Sequence, residues 1–172
     1  MSTLEPVGQA RLGDFALPLK APFEARRPPR SFSLPPLRHP LGVDFGDEVQ
    51  LAGYELERGD DNLRLTLWWQ ALQVPQADYT VFVHVFDPTT QALVAQSDAQ
   101  PRGGAYPTSW WSVGEVVSET VELRLGEVPQ GMYQLAVGLY DRTVTRLPAT
   151  DSGGRRLPDD RVILPEIVEV GR

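Results

Sequence analysis

The stretch that decides the fold is Tyr79–Glu115, YTVFVHVFDPTTQALVAQSDAQPRGGAYPTSWWSVGE. Its first half alternates with period two. Val81, Val83 and Val85 line one face of an extended segment, and Phe82, His84 and Phe86 line the other. A strand apolar on both faces is expected to be central and covered on both sides. Asp87-Pro88-Thr89-Thr90-Gln91 is a turn that returns the chain into Ala92–Ser97 as a hairpin. A long loop from Asp98 to Gly114 follows, rich in Gly, Pro and aromatic residues.

The same period recurs along the chain, and helical spacing is nearly absent. Strands are expected over Glu48–Glu57, Leu63–Ala71, Val116–Leu125, Met132–Asp141, Thr145–Leu147 and Arg161–Val170. In Leu63–Ala71, Leu63, Leu65, Leu67 and Trp69 share the inward face, while Arg64, Thr66, Trp68 and Gln70 share the other. In Met132–Asp141 the inward set is Tyr133, Leu135, Val137 and Leu139. Pro165 cannot donate to a ladder, so the last strand belongs at a sheet edge. About eight short strands at this spacing imply an all-β chain, an antiparallel β-sandwich of the Ig-like or carbohydrate-binding-module-like kind.

Composition agrees. The 172 residues suit one domain with its own core, and 16 prolines with 15 glycines favour turns and short strands. The net charge of −7 argues against a nucleic-acid partner, because phosphate backbones are bound mainly by Lys and Arg. There is no cysteine, which removes disulfides and thiolate metal sites. No apolar run reaches a membrane-spanning length. MSTLEPVGQARLGDF at the N-terminus has no signal-peptide core. The chain by itself is expected to be soluble.

Residues 1–40 form an N-terminal strand and a Pro-rich arm, and residues 41–172 form the sandwich. The arm carries proline at 18, 22, 28, 29, 35, 36 and 40, so its preferred state is extended polyproline II, about 70 Å long at ~3.1 Å per residue. It is basic, with Lys20, Arg26, Arg27, Arg30 and Arg38 against Glu24 alone. It reads as an interdomain linker or as an arm strapped onto its own acidic domain; contact with anionic lipid is the third reading. Leu12-Gly13-Asp14-Phe15-Ala16 also echoes Leu164-Pro165-Glu166-Ile167-Val168. Residues 9–17 could thus be the closing strand of an adjacent copy of the domain.

Six segments in order, HPLGVDFGDEVQLAGYEL (39–56), LRLTLWWQAL (63–72), DYTVFVHVFD (78–87), VAQSDAQP (94–101), YPTSWWSVGE (106–115) and GMYQLAVGLYDRTVTRLP (131–148), carry a resemblance. Together they resemble the C-terminal β-sandwich accessory domain of bacterial membrane glycosyltransferase-like proteins of the dolichyl-phosphate-mannose mannosyltransferase type. That resemblance implies an extracytoplasmic domain, in the cell envelope, linked to a membrane-embedded parent protein. The family's catalytic carboxylate belongs to the membrane part, so no catalytic residue carries over to this chain.

The residues themselves agree. With two isolated histidines, His39 and His84, and no cysteine, no nucleophile–base pair or zinc set can be assembled, so no enzyme, metal site or cofactor is expected. His84 reads as a core histidine. Asp60-Asp61-Asn62 and the trio Asp151, Asp159 and Asp160 lack cation-ligand spacing and read as solvated turns. Tyr133 resembles the corner tyrosine of β-sandwiches, and Trp111 reads as the pin of the long loop. The candidate ligand site is a glycan platform of Trp68, Tyr106 and Trp110, whose rings would stack on sugar faces, with Asp98 and Arg102 as hydrogen-bond partners. The rival reading is that these rings cover core beneath a loop. The functional expectation is a non-catalytic accessory domain that binds or positions a glycan; the alternative is an Ig-like protein-interaction or structural module with no sugar ligand.

Overall fold

The structure is a computed structural model, which describes residues 29–171. Its strands, in chain order, are β1 (His39–Phe45), β2 (Val49–Arg58), β3 (Asn62–Ala71), β4 (Thr80–Phe86), β5 (Leu93–Ala99), β6 (Val116–Arg124), β7 (Gly131–Tyr140), β8 (Ala149–Thr150), β9 (Val162–Ile163) and β10 (Val168–Val170). One sheet has the order β6-β3-β2-β1-β8. The other has the order β10-β7-β4-β5, with β9 also on β7. Every pairing is antiparallel. The two sheets enclose one apolar core, so the fold is an antiparallel β-sandwich.

Alternation places the core. Leu63, Leu65, Leu67 and Trp69 of β3, Val81, Val83 and Val85 of β4, and Tyr133, Leu135, Val137 and Leu139 of β7 are all buried inside it. Each large apolar side chain so buried contributes on the order of 1.5–3 kcal/mol. In β2 the register slips between Leu51 and Gly53, a bulge that inserts Ala52 and reverses the alternation. Leu51 and Tyr54 therefore both face the core, while Gly53 faces outward opposite Trp68.

Three strand expectations are corrected. Residues 39–45, whose alternation is interrupted by Pro40 and Gly42, form β1 with a bulge between Pro40 and Val43. Thr145–Leu147 is not a strand; it contributes a single bridge, Tyr140 to Arg146, and the ladder resumes at β8. The last strand is split into β9 and β10, because Pro165 interrupts it. Both halves lie on the same edge of β7, joined by the Leu164 N–H to Leu135 carbonyl bond of 2.8 Å.

β4 lies between β7 and β5, and its outer face is covered, since Phe82 and Phe86 are buried there outside the main core. His84, on that same outer face, is half-buried rather than a core residue, because its strand neighbours alone point inward.

The arm packs on its own domain over the part described. The Val116 N–H donates to the Ser31 carbonyl at 2.7 Å along the outer edge of β6, and Arg30 bonds Ser112. Leu37 then lies over Gly53 of β2, and the chain enters β1 at His39. Since β3 and β2 stand between β6 and β1, the segment 31–38 crosses the outer face of that sheet. A Cβ on Gly53 would stand 2.6 Å from the Leu37 Cδ1 and 2.7 Å from the His39 carbonyl oxygen, so this approach requires glycine. The residue 9–17 echo and the arm residues 18–28, with Lys20, Glu24, Arg26 and Arg27, lie outside the described residues. Among the described residues no helix is long and apolar enough to cross a membrane.

Candidate functional site

One end of the sandwich collects the β3–β4 loop, the start of β4, the end of β5, the end of β7 and the aromatic loop. The aromatic loop is built from the inside out. Trp111, 2% exposed, donates its indole N–H to the Tyr106 carbonyl at 3.1 Å, and the Tyr106 hydroxyl donates to the buried Glu115 at 2.5 Å. The Ser112 N–H donates to the same carboxylate at 2.8 Å. A buried carboxylate needs such donors, since an unpaired one carries a large desolvation cost. Thr108, fully buried, rivets this loop to its neighbour by donating to the Ala77 carbonyl at 2.6 Å and accepting from the Tyr79 N–H at 3.0 Å. The loop therefore presents a fixed surface.

Beside it opens a cleft of about 560 Å³ lined by Gln76, Ala77, Asp78, Gln100, Asp141, Arg142 and Thr143. Asp78 accepts from the Ser109 N–H at 3.3 Å and also bonds the Ser109 hydroxyl, so the cleft wall is tied to the residue next to Trp110. Gln76 is held through its own N–H to Glu48 at 2.9 Å, leaving its side-chain amide exposed. The Asp141 carboxylate accepts from the Thr143 N–H, the Thr143 hydroxyl and the Thr145 N–H at 2.9, 2.6 and 3.1 Å. The Thr143 hydroxyl bond, ahead of the others, holds the Asp141 carboxyl below its ordinary range. Arg142 is exposed and makes no ion pair among the described residues. A larger concavity of about 710 Å³ lies at the opposite end, between Asp61, Asn62, Glu122, Arg124 and Glu127. It has no aromatic wall and consists of turn and strand-end residues of mixed sign, so it lacks the ring surface that a sugar site needs.

The five expected platform residues do not share one surface. Trp68 faces outward from β3, yet it is half-buried, and its indole N–H is buried with no partner among the described residues. Arm residues 31–38 cross that face, which is why the expected exposure fails. Tyr106 is 1% exposed, because its hydroxyl is spent on Glu115. Trp110 is half-buried against the core, with its ring 6.2 Å from that of Tyr106, edge to face. Arg102 lies 5.9 Å from the Tyr106 ring centre and donates from Nε to the Ser118 carbonyl at 3.0 Å. Asp98 stands on the other sheet, where it accepts from the Tyr140 hydroxyl at 2.9 Å. Tyr106, Trp110 and Arg102 are thus neighbours, and Trp68 and Asp98 lie apart from them.

The sequence reading missed Gln76, Asp78, Gln100, Asp141, Arg142 and Thr143. The signal that could have found two of them is register: Tyr140 pairs with Thr80, and Asp98 pairs with Phe82 two residues on. Gln100 and Asp141 therefore leave their strands at one corner. Among the described residues no group of three His, Cys, Asp or Glu side chains could hold a metal ion. No protein-family model matches the chain, and no curated protein matches it.

Proposed function

We propose that this chain is a non-catalytic accessory sandwich that binds or positions a glycan. The observation that carries this reading is the cleft at the aromatic-loop end. It sets two side-chain amides, two carboxylates, a guanidinium with no ion pair among the described residues and a hydroxyl, from Gln76, Gln100, Asp78, Asp141, Arg142 and Thr143, around about 560 Å³. Vicinal sugar hydroxyls both donate and accept, and such a mixed polar rim beside an aromatic residue suits them. Trp110 directly follows Ser109, which bonds Asp78 of the cleft wall. The resemblance of residues 39–170 to accessory domains of membrane glycosyltransferase-like proteins supports an extracytoplasmic place, joined to a membrane-embedded parent through the Pro-rich arm.

Glycan-array screening followed by calorimetry tests this. Binding that weakens at least tenfold in Arg142→Ala and Gln100→Ala, with melting unchanged, supports the cleft. Binding that survives both, or no binding by the intact chain, removes it.

One observation favours a second reading, an Ig-like protein-interaction module. Phe32 is 53% exposed and Val113 is 60% exposed, and the Phe32 ring lies 3.8 Å from where a Gly114 Cβ would stand. With Leu34 they form an apolar spot where the arm meets the sandwich. A partner captured by the intact chain and lost with Phe32→Ser would favour that reading.

A further inference from the structure

The outer face of the β4 sheet has a composition that neither its core role nor the cleft explains. Phe82, His84 and Phe86 stand in a row along β4. The ring of Phe82 lies 4.7 Å from that of His84. The Tyr140 ring stacks beside Phe82 at 6.1 Å, but the residues opposite Phe82 and His84 on β7 are the small Gly138 and Ala136. Two arginines fill the space instead. The Arg146 guanidinium lies 4.5 Å over the Phe82 ring, and the Arg161 guanidinium lies 4.7 Å over the Phe86 ring.

Each arginine has one hydrogen bond and no ion pair among the described residues. Arg146 donates Nη1 to the Asp159 backbone carbonyl at 2.7 Å, and Arg161 donates Nη2 to the Gln91 side-chain oxygen at 3.3 Å. A guanidinium has five N–H donors, so several remain on both. Two carboxylates lie within electrostatic reach of this face, Asp98 acting on His84 and Asp160 on Arg146, and both have hydrogen-bond partners of their own. Asp98 accepts from Tyr140, and Asp160 pairs with Arg156 at 2.8 Å. His84 lies between the two cations with no hydrogen bond from either ring nitrogen among the described residues, and it is not sealed from water. In a chain of net charge −7, two arginines with no ion pair among the described residues, each over an aromatic ring beside a solvent-reachable imidazole, concentrate positive charge on one face. A guanidinium held over a ring keeps its N–H fork partly ordered, so less freedom is lost when it binds an oxyanion.

We propose that Arg146, Arg161 and His84 form a binding site for an oxyanion, the carboxylate or phosphate group of an anionic ligand. The arginine N–H groups supply charge-assisted bonds, and the imidazole adds a third cationic donor when protonated. Burial, then the Arg146 charge, holds the His84 imidazole below its ordinary value; Asp98 from β5 opposes this, and Arg161 adds to it. A bound anion offsets the two cations and so moves His84 back toward protonation. The site is separate from the cleft and stands whether or not the cleft takes a sugar.

The chain has two histidines, which makes the imidazole signals in NMR unambiguous. The experiment titrates pH with and without inorganic phosphate, and with and without glucuronate, at matched ionic strength in chloride. The expected result is an upward shift of the His84 titration by about one unit. Phosphate alone being effective assigns a phosphate ligand; glucuronate alone assigns a carboxylate, as in an acidic sugar. In Arg146→Gln with Arg161→Gln, which keeps planar polar groups over the rings, the shift should vanish while the dispersed spectrum remains. Single replacements provide a second measurement if that pair unfolds, each expected to at least halve the shift. No His84 response to either anion, or an equal response in the variants, overturns the proposal. Neutral glycan binding is indifferent to either result.

Discussion

Gly138→Ala is the substitution whose outcome the geometry defines most closely. Gly138 sits buried in the middle of β7, directly opposite Phe82. A Cβ placed there would stand 2.3 Å from the Phe82 Cζ, 2.4 Å from its Cε2 and 3.1 Å from the Asp160 carbonyl oxygen. Two effects oppose each other. Replacing glycine within a strand should recover about 0.5–1 kcal/mol of chain entropy. The ring must move by on the order of 1 Å, and Phe82 is confined by Arg146 above and His84 beside it, so overpacking should cost about 1–3 kcal/mol. The clash wins, with a net loss of about 1–2 kcal/mol. For a domain of this size that lowers the melting temperature by about 3–6 °C. Phe82→Leu alone should cost about 1–2 kcal/mol as a large-to-small change. Leucine has no atoms at the Cζ and Cε2 positions, so the double variant should lose less than the sum. The coupling should be about 1 kcal/mol or more in a thermal or denaturant double-mutant cycle. Additive losses would refute the claim that the glycine exists to seat this ring. A Gly138→Ala variant as stable as the parent would refute it outright.

Three further outcomes follow from the same contacts. Trp111→Phe keeps a ring but strands the Tyr106 carbonyl, and should cost about 1–3 kcal/mol, read as earlier melting and as faster proteolysis within residues 102–110. Leu37→Ala should cost about 1 kcal/mol and red-shift tryptophan emission through Trp68, since Trp69 and Trp111 stay in the core; unchanged emission would mean the arm does not shield that indole. His84 and Glu119 should tilt the pH dependence of stability in opposite senses. Burial lowers His84 in the folded state, so stability falls as the pH drops below its ordinary 6.5, and His84→Gln should flatten that limb. Burial raises Glu119, so its contribution is full below 4.5 and declines as the pH rises past it, a decline that Glu119→Gln should remove in urea titrations across that range.

The parts of the fold that could be read in advance are those where one period decides the face. The valines of β4, the leucines of β3 and the inward set of β7 alternate without a break, and all are in the core. Tyr133 does what its position suggested, donating to the Pro129 carbonyl at 2.7 Å. Reading failed where the period is interrupted. β1 contains Pro40, Gly42 and a bulge, so its pattern looks like the tail of the arm. The β9–β10 edge is broken at Pro165 and reads as one strand only if that proline is ignored. The cleft was illegible for another reason. Gln76, Gln100 and Arg142 are polar residues in three separate loops, with nothing local to mark them. They meet only because Thr80 pairs with Tyr140 on one side while β5 ends beside it on the other.

The aromatic platform failed for a reason worth separating from these. Alternation sorts residues into those facing the core and those facing away from it. It does not say that a residue facing away reaches water. Trp68 faces away from the core, but the arm supplies Leu37 and its neighbours as a further layer on that side. The indole N–H is shut in without a partner among the described residues, at a cost of about 1–3 kcal/mol if no water reaches it. Tyr106 shows the converse. Its hydroxyl made it look like a surface ring with a polar handle, but Glu115 uses that handle inside the fold. A polar tip on an aromatic residue marks a hydrogen bond to be made, and a carboxylate nine residues along the chain was as able to make it as a ligand. Phe82 and Phe86, with no polar tip, seemed to be plain core. They instead carry two arginines on their outer faces, which puts positive charge where the pattern gave only hydrophobicity.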